Sequence, residues 1–474
     1  MAGEDLGLKA KKSENFAEWY PEVVLKAGLA DYSPVKGCMI IKPHGYAIWE
    51  LIQQYFNKRL KELGVKNAYF PLFIPERFFK KEAEHAAGFK PEVAWIEAEK
   101  GEERLAVRPT SETIMYDAYA RWIRSWRDLP LKINQWCNVV RWETKATKLF
   151  LRTREFLWQE GHCVYATKEE CEKETYLYLK EYERLCKELL AIPVIPGKKT
   201  EQEKFAGADF TLTVEAFMPD GRALQMGTSH SLGQNFAKAF GIKYMGKDEK
   251  EHYAWQNSWG FSTRLIGAVI MMHGDDKGLI LPPGIAPVQA VIVPIYFKDA
   301  EKKKVFEVCE KVKKELENSF RVEFDSREEY TPGFKFNDWE LKGVPIRIEI
   351  GPKDVAKKQV VIVRRDTGAK VEVKLKDVAN YLSDALEKVH KNLYERTLKH
   401  LKKSIVEVKD YEQFKEFAEK RMLLKCGFCG KKECEERIKE ETGLTSRCIP
   451  INAKEKKCIL CGKKGEETYF SKGY

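Results

Sequence analysis

The stretch RWETKATKLFLRTREFLWQEGH, Arg141 to His162, concentrates side chains that can handle a nucleotide. Arg141 offers a planar fork for phosphate or carboxylate. Glu143 can accept the amino group of adenine, and Phe156 can stack on the base. Lys145, Lys148 and Arg152 suit a nucleic-acid backbone. A second concentration lies near the far end of the chain. Of 12 cysteines, those from Cys426 onward (Cys426, Cys429, Cys434, Cys448, Cys458 and Cys461) form a cluster with two Cys-x-x-Cys pairs. In a reducing compartment such a cluster points to a metal and not to disulfides. Spacing alone nominates Cys426, Cys429, Cys458 and Cys461 for a closed, structural zinc site.

The elements that must position these groups can be read around them. QWCNVVRWE and REFLWQEGHCVY alternate and carry β-formers, so they form an antiparallel pair. Val139, Arg141 and Glu143 then share a face, and Phe156, Trp158, Glu160 and His162 share a face on the return strand. The connection is far longer than a tight turn, which on a rigid hairpin points to function. A surface hairpin laced by cross-strand ion pairs is the competing explanation. Strand parity puts Arg154 on the Phe156 face and does not place Arg152, which lies in the loop.

Upstream, YAIWELIQQYFNKRLKEL predicts an amphipathic helix with Ile48, Ile52, Tyr55, Phe56 and Leu60 on its stripe. NAYFPLFIP predicts an extended edge segment, because Pro71 and Pro75 cannot donate to a ladder. SETIMYDAYARWIRSWRDL predicts a second helix, stacking Ile114, Ala118, Trp122 and Trp126. LPPGIAPVQ punctuates the chain. After it, AVIVPIYF, a charged helix carrying Val305, Cys309, Val312 and Leu316, the strands RVEFD, PIRIEIG and KQVVIVRRD, and a helix around VANYLSDALEKV predict a compact α/β unit.

A chain of 474 residues exceeds one core, and two to four domains are expected. The net charge of +11 is compatible with a polyanionic partner and equally with an ion-paired surface. No apolar run is long enough to span a membrane. The first twenty residues lack an apolar core after their charges, so a cytoplasmic location is expected.

Arg-x-Glu, a basic loop and Arg-x-Phe resemble motif 2 of class II aminoacyl-tRNA synthetases. YAIWELIQQYFNKRLKELGVKNAYFPLF resembles motif 1, with Pro71 as its proline, and GFSTRLIGAVIMMHGDDKGLILPP resembles motif 3, with Arg264 as its arginine. RPTSETIMYDAY, WQEGH and GTSHSLGQNF are similar to the prolyl-tRNA synthetases, in the archaeal and eukaryotic-like form. About 100 residues separate His162 from Arg264, which leaves no room for the large editing insertion of the bacterial form.

The resemblance implies an α+β architecture: an antiparallel-sheet catalytic domain over 1–284, an α/β anticodon-binding domain over 285–400 and a zinc-containing domain over 401–474. It implies L-proline, ATP and tRNA(Pro) as substrates, Mg²⁺ and a structural Zn²⁺ as cofactors, and a homodimer built through motif 1. Arg141 would hold the α-phosphate and the proline carboxylate, and Glu143 and Phe156 the adenine. Arg152 and Arg264 would hold the outer phosphates, with Arg141 and Arg264 carrying catalysis. Thr153 and Ser262 would line the ATP site, and Gln225 and Thr228 would contact ATP, Gln225 also the magnesium. Proline brings a secondary ammonium with two N–H donors and an apolar ring. Glu112 can take the ammonium, and Thr110 can add an acceptor, although it can equally cap a helix. Trp158 and His162 can wall the ring or simply pack in the core, and the resemblance adds His230. On a regular strand Gln225 and His230 have opposite parity. A bulge at Gly227 would reconcile them, or one assignment fails. By analogy Phe336, Glu340, Arg347 and Lys353 would read the anticodon guanines. The subfamily spacing selects Cys429, Cys434, Cys458 and Cys461 for zinc, leaving Cys426 and Cys448 as spare thiols. The rival readings are a class II synthetase for threonine or glycine and a non-catalytic RNA-binding regulator. The presence of Arg141, Glu143 and Arg264 argues against the latter.

Overall fold

The computed structural model describes residues 7–85, 92–142 and 146–474. Glu143 and Lys145 therefore lie outside the described residues. The hairpin consists of Leu131–Val140 and Glu155–Tyr165, paired antiparallel with Cys137 opposite Trp158, Gln135 opposite Glu160 and Ile133 opposite His162. The regular ladder stops at Val140, one residue short of Arg141. The Arg141 N–H still donates to the Arg154 carbonyl at 2.7 Å, which fixes where Arg141 leaves the strand.

The hairpin sits inside a sheet that continues through Trp255–Ser262, Arg222–Gly233, Phe210–Phe217 and Ile195–Lys198. The pleat sorts the return strand into two sets. Cys163 and Tyr165 join the main core with the helices Pro43–Glu62, Lys168–Arg184 and Arg264–His273, while Phe156, Trp158, Glu160 and His162 face the opposite way. The close cross-strand packing dictates one glycine. A Cβ on Gly161 would lie 2.1 Å from the ring of Trp259, which stacks on Tyr178 at 4.0 Å.

The upstream amphipathic helix, Pro43–Glu62, forms as expected, with Ile48, Ile52, Phe56 and Leu60 buried and Tyr55 at the margin. The predicted helix after Ser111 is shorter than its apolar spacing suggests. It covers Glu112–Trp122, Ile123 turns extended, and Trp126 opens a separate 3-10 turn over Trp126–Asp128. Local hydrogen bonding wins over periodicity here: the Asp128 carboxylate accepts from the N–H groups of Arg124 and Ser125. NAYFPLFIP is likewise divided. Only Lys66–Asn67 joins the main sheet, and Phe73–Pro75 pairs with Leu105–Val107 in a small separate one.

The α/β unit after Gln289 has the strand order Val322–Phe324, Ala290–Pro294, Ile346–Ile350, Gln359–Arg364, Lys370–Lys374. The first three are parallel and the last two antiparallel. The helix Asp299–Leu316 buries Val305, Cys309, Val312 and Leu316 against it. A further helix, Pro332–Leu341, was not evident from the sequence. It starts with Pro332 after an N-cap at Thr331, whose hydroxyl accepts from the Phe334 N–H.

The terminal helix is longer than its apolar stripe. Val378–Ser404 runs straight through the basic segment and delivers the chain to the cysteine-rich region. Strands of that region extend the main sheet. Thr445–Pro450 pairs with Ile195–Lys198, and Lys464–Gly473 runs parallel to the start of Arg222–Gly233, with Lys472 opposite Arg222. Gly197 permits the first contact, since a Cβ there would meet the Ile449 carbonyl oxygen at 2.5 Å.

Candidate active site

The non-core face of the sheet lines a cavity of about 270 Å³. Thr110, Glu112, Arg141, Phe156, Trp158, His162, Gln225, Thr228, His230, Ser262 and Arg264 all line it, so the sequence-nominated residues converge from five separate segments. A second cavity of about 290 Å³ adjoins it and shares Arg141, Phe156, Gln225, Ser262 and Arg264. Arg152 and Thr153 line only this second one. Arg154 instead stacks over Trp142, 4.5 Å from the ring, which separates it from Arg152. Lys148 also departs from the expected role: it is half-buried over the rings of Tyr20 and Tyr474 and does not project as a free loop cation.

The parity conflict between Gln225 and His230 is resolved by a bulge. Gly227 pairs with Val214 and Gln225 with Glu215, so Met226 is the extra residue. Met226 turns into the core, and Gln225 and His230 both reach the cavity.

One end of the first cavity is built from buried polar groups. Thr110 is not a helix cap: Ser111 occupies that position, and the Thr110 hydroxyl donates to Glu112. Glu160 accepts from the Ser111 N–H at 3.2 Å, from Gln135 at 3.0 Å and from the Ser111 hydroxyl. Nε2 of His162 lies 3.0 Å from Glu160, and its Nδ1 lies 3.0 Å from the Tyr116 hydroxyl. Burial is the largest influence and opposes ionisation of both partners, but their hydrogen bond, their mutual attraction and the neighbouring polar groups together outweigh it. The imidazole is held above its usual range, Glu112 also contributing, and the Glu160 carboxyl below its own. His230 has the reverse environment. Burial and then the field of His162 push it down to about 3, so it is neutral, with Nδ1 2.9 Å from the Thr211 hydroxyl and its ring 4.8 Å from that of Phe205. Trp158 is fixed by its indole N–H donating to Cys137 at 3.3 Å. Ser111, Gln135, Glu160 and Phe205 complete this end. Only Glu160 had a sequence signal, its parity with His162.

The other end is cationic. The Arg141 guanidinium lies 5.5 Å from the rings of both Phe156 and Trp158, and its Nε donates to the Pro109 carbonyl. Arg264 donates to the Leu151 carbonyl at 3.2 Å. Burial, then repulsion from Arg141 and Arg152, brings Arg264 down to about 10. A site that presses arginines together this way is arranged for an anion.

Residues 94–273 match the tRNA synthetase class II core domain (G, H, P, S and T), 289–385 the anticodon binding domain, and 411–474 the C-terminal domain of prolyl-tRNA synthetase. Curated relatives called proline–tRNA ligase include that of Natranaerobius thermophilus, 50% identical over 98% of this chain and 97% of the relative. That of Alkaliphilus oremlandii is 51% identical over 97% and 96%, and that of Cenarchaeum symbiosum 49% identical over 99% and 100%. The chain belongs to the prolyl-tRNA synthetase family. The class II core, anticodon-binding and prolyl-tRNA synthetase C-terminal regions follow one another in that order, and the threonine, glycine and regulatory readings are not favoured.

In the family's anticodon-binding region, three of the four nominated residues meet. The Arg347 guanidinium lies 4.1 Å from the Phe336 ring and donates to Glu340 at 2.9 Å and to Glu349 at 2.9 Å. Lys353 is exposed on the short helix that follows, and among the described residues no hydrogen bond or ion pair joins it to them. In the C-terminal region the sulfurs of Cys429, Cys434, Cys458 and Cys461 lie within 4.8 Å of one another. Four thiolates at about 2.3 Å from a tetrahedral zinc stand about 3.8 Å apart, and Cys429 and Cys461 are 3.6 Å apart. The donor set therefore fits zinc. Cys426 and Cys448 are buried in apolar clusters, and among the described residues neither joins the four-sulfur group, so the set suggested by spacing alone is not the one brought together.

Proposed function

We propose that this chain ligates L-proline to tRNA(Pro) in two steps. A proline carboxylate oxygen attacks the α-phosphorus of ATP, the bond to the β-phosphate breaks, and pyrophosphate leaves. The terminal ribose hydroxyl of the tRNA then attacks the prolyl carbonyl, and AMP departs. The observation that carries this reading is one continuous pair of cavities with carboxylates and an apolar wall at one end and arginines at the other.

At the proline end Glu112 receives one N–H of the ammonium and the Thr110 oxygen the other. Trp158, Phe205 and neutral His230 wall the ring. The ion pair of His162 with Glu160 holds this floor and reaches the helix start at Ser111. Arg141, between the cavities, binds the carboxylate and the α-phosphate together. That alignment is the main source of rate, because no side-chain nucleophile is required. Phe156 stacks on adenine, and Glu143, outside the described residues, accepts from its amino group. Ser262, Thr153 and Thr228 line the nucleotide, and Arg152 and Arg264 neutralise the outer phosphates. Bound Mg²⁺, near Gln225, would supply further charge neutralisation there.

Phe336, Glu340 and Arg347 form the reading surface for anticodon guanines, with Lys353 reaching the backbone or a base from outside. A structural zinc on Cys429, Cys434, Cys458 and Cys461 holds the C-terminal module. The modules are assigned to 1–284, 285–400 and 401–474. A homodimer through motif 1 is supported by exposed Tyr32, Val35, Ile40, Tyr46, Tyr69 and Phe73, all in or near that segment. The short interval between His162 and Arg264 supports the form without the large editing insertion. No helix of the described residues is long and apolar enough to cross a membrane, in keeping with a cytoplasmic location. Proline-dependent exchange of labelled pyrophosphate into ATP tests the reading.

A further inference from the structure

The second cavity contains two cations that the motif residues do not account for, Lys199 and Arg447. Arg447 comes from the cysteine-rich region, on the strand Thr445–Pro450. Its guanidinium donates to Glu215 at 2.8 Å through Nη2 and at 3.2 Å through Nε. Lys199 donates to the other oxygen of Glu215 at 2.8 Å and to the Arg447 carbonyl at 2.8 Å. The Thr213 hydroxyl donates to Glu215 at 2.9 Å. One carboxylate thus serves two cations, which concentrates positive charge beside Arg264. The side chain of Glu215 is 4% exposed, of Lys199 3% and of Arg447 11%, so this charge is poorly screened. Five lining side chains of the cavity are cationic (Arg141, Arg152, Lys199, Arg264 and Arg447) and one, Glu203, is acidic.

The placement is fixed from the zinc side as well. Cys434 is followed directly by Glu435, whose carboxylate accepts from the Thr200 hydroxyl at 3.1 Å and from Ser446. Thr200 and Ser446 are the chain neighbours of Lys199 and Arg447. Glu435, next to a cysteine of the four-sulfur cluster, thus holds by hydrogen bonds the chain neighbours of both cavity cations. Gly473 leaves room for the guanidinium: a Cβ there would lie 2.5 Å from Nη1 of Arg447.

We infer that Arg447, delivered by the C-terminal module and aimed by Glu215, contacts the β- and γ-phosphates of ATP and the departing pyrophosphate. Arg447 is then a catalytic residue, and Glu215 and Lys199 are positioning residues. The inference rests on the proposed ATP site. It gives the module a role in the first chemical step, before tRNA is involved.

The test is steady-state pyrophosphate exchange on the full-length, zinc-loaded protein, varying ATP, pyrophosphate and proline separately. Arg447→Met and Gly473→Ala are each compared with Arg264→Met. The loss of a charge-assisted hydrogen bond predicts about a 10- to 100-fold fall in kcat/KM for ATP and for pyrophosphate in Arg447→Met. The KM for proline should stay within about twofold, since uniform loss of binding is confined to the nucleotide. Gly473→Ala, which keeps the charge and displaces it, should move the same two constants in the same direction with zinc content unchanged. If Arg447→Met does not fold, Gly473→Ala and Arg447→Lys carry the test, and Arg447→Lys should restore part of the ATP and pyrophosphate constants. Wild-type constants for ATP and pyrophosphate in the Arg447 and Gly473 variants, with Arg264→Met inactive, overturn the role of Arg447 alone. An active Arg264→Met with wild-type ATP constants overturns the phosphate site itself.

Discussion

Nε2 of His162 lies 3.0 Å from Oε2 of Glu160, and both side chains are buried at the end of the cavity lined by Glu112. Because Glu160 also receives Ser111 and Gln135, it ties the start of the Glu112 helix to the motif 2 hairpin. Removing one partner of such a buried, bonded pair typically costs about 3–5 kcal/mol. Glu160→Ala is therefore expected to lower the unfolding free energy of the first denaturant transition by that amount, and Glu160→Gln by less. In Glu160→Gln the His162 imidazole should titrate at lower pH than in the wild type, as read by NMR. An unchanged imidazole titration would show that the pair is not an ion pair.

Three strongly depressed groups contribute to acid stability. Neighbouring Arg447 and Lys199 overcome burial and bring Glu215 down to about 2, and burial brings His230 and His273 down to about 3. The unfolded chain protonates the histidines near 6.5 and the glutamate near 4.5, so at each lower pH it holds more protons than the folded chain. Stability is then present above those values and lost as pH falls, by up to about 1.4 kcal/mol per pH unit for each group. Denaturant midpoints should decline from pH 6.5 toward 4.5 as the histidines take effect, then more steeply below 4.5. Glu215→Gln should flatten only the lower limb. A flat profile between 6.5 and 4.5 would contradict the histidine part, and an unchanged lower limb the Glu215 part.

The cysteine geometry makes a sharper distinction than spacing can. Cys434→Ser is expected to abolish the single zinc per chain and lower the stability of the C-terminal module. Cys426→Ser and Cys448→Ser, at buried packing positions, should each retain the metal. Zinc content of the purified proteins decides it. Loss of zinc in Cys426→Ser with retention in Cys434→Ser would reverse the ligand set.

Arg347 sits against Phe336 between two carboxylates, far in sequence from the ATP residues. Arg347→Ala is expected to reduce kcat/KM for tRNA(Pro) by about 10- to 100-fold, the worth of one bidentate base contact. Proline-dependent pyrophosphate exchange should stay within about twofold. Exchange abolished together with charging would mean that the anticodon role is wrongly placed.

Much of this was legible wherever a periodic pattern coincided with a chemical one. The hairpin parity placed Phe156, Trp158, Glu160 and His162 on one face, as the cavity lining shows. The conflict between Gln225 and His230 called for a bulge at Gly227 or a failed assignment; the strand does bulge, with neighbouring Met226 as the extra residue. What escaped were features set by long-range contacts. Trp126 followed the helical period, but the bonds to Asp128 ended the helix earlier. The joining of Thr445–Pro450 to Ile195–Lys198 leaves no local signal, because backbone pairing between distant segments is independent of side-chain pattern. For the same reason nothing in the sequence ties Lys199, Glu215 and Arg447 together; the fold does.

The proline assignment is tested most directly by amino-acid-dependent exchange of labelled pyrophosphate into ATP without tRNA. Proline should drive exchange, threonine and glycine should not, and Glu112→Gln should raise the KM for proline at least about tenfold through loss of the ammonium's charged partner. Exchange driven by threonine or glycine and not by proline, or no exchange with any amino acid, would contradict it.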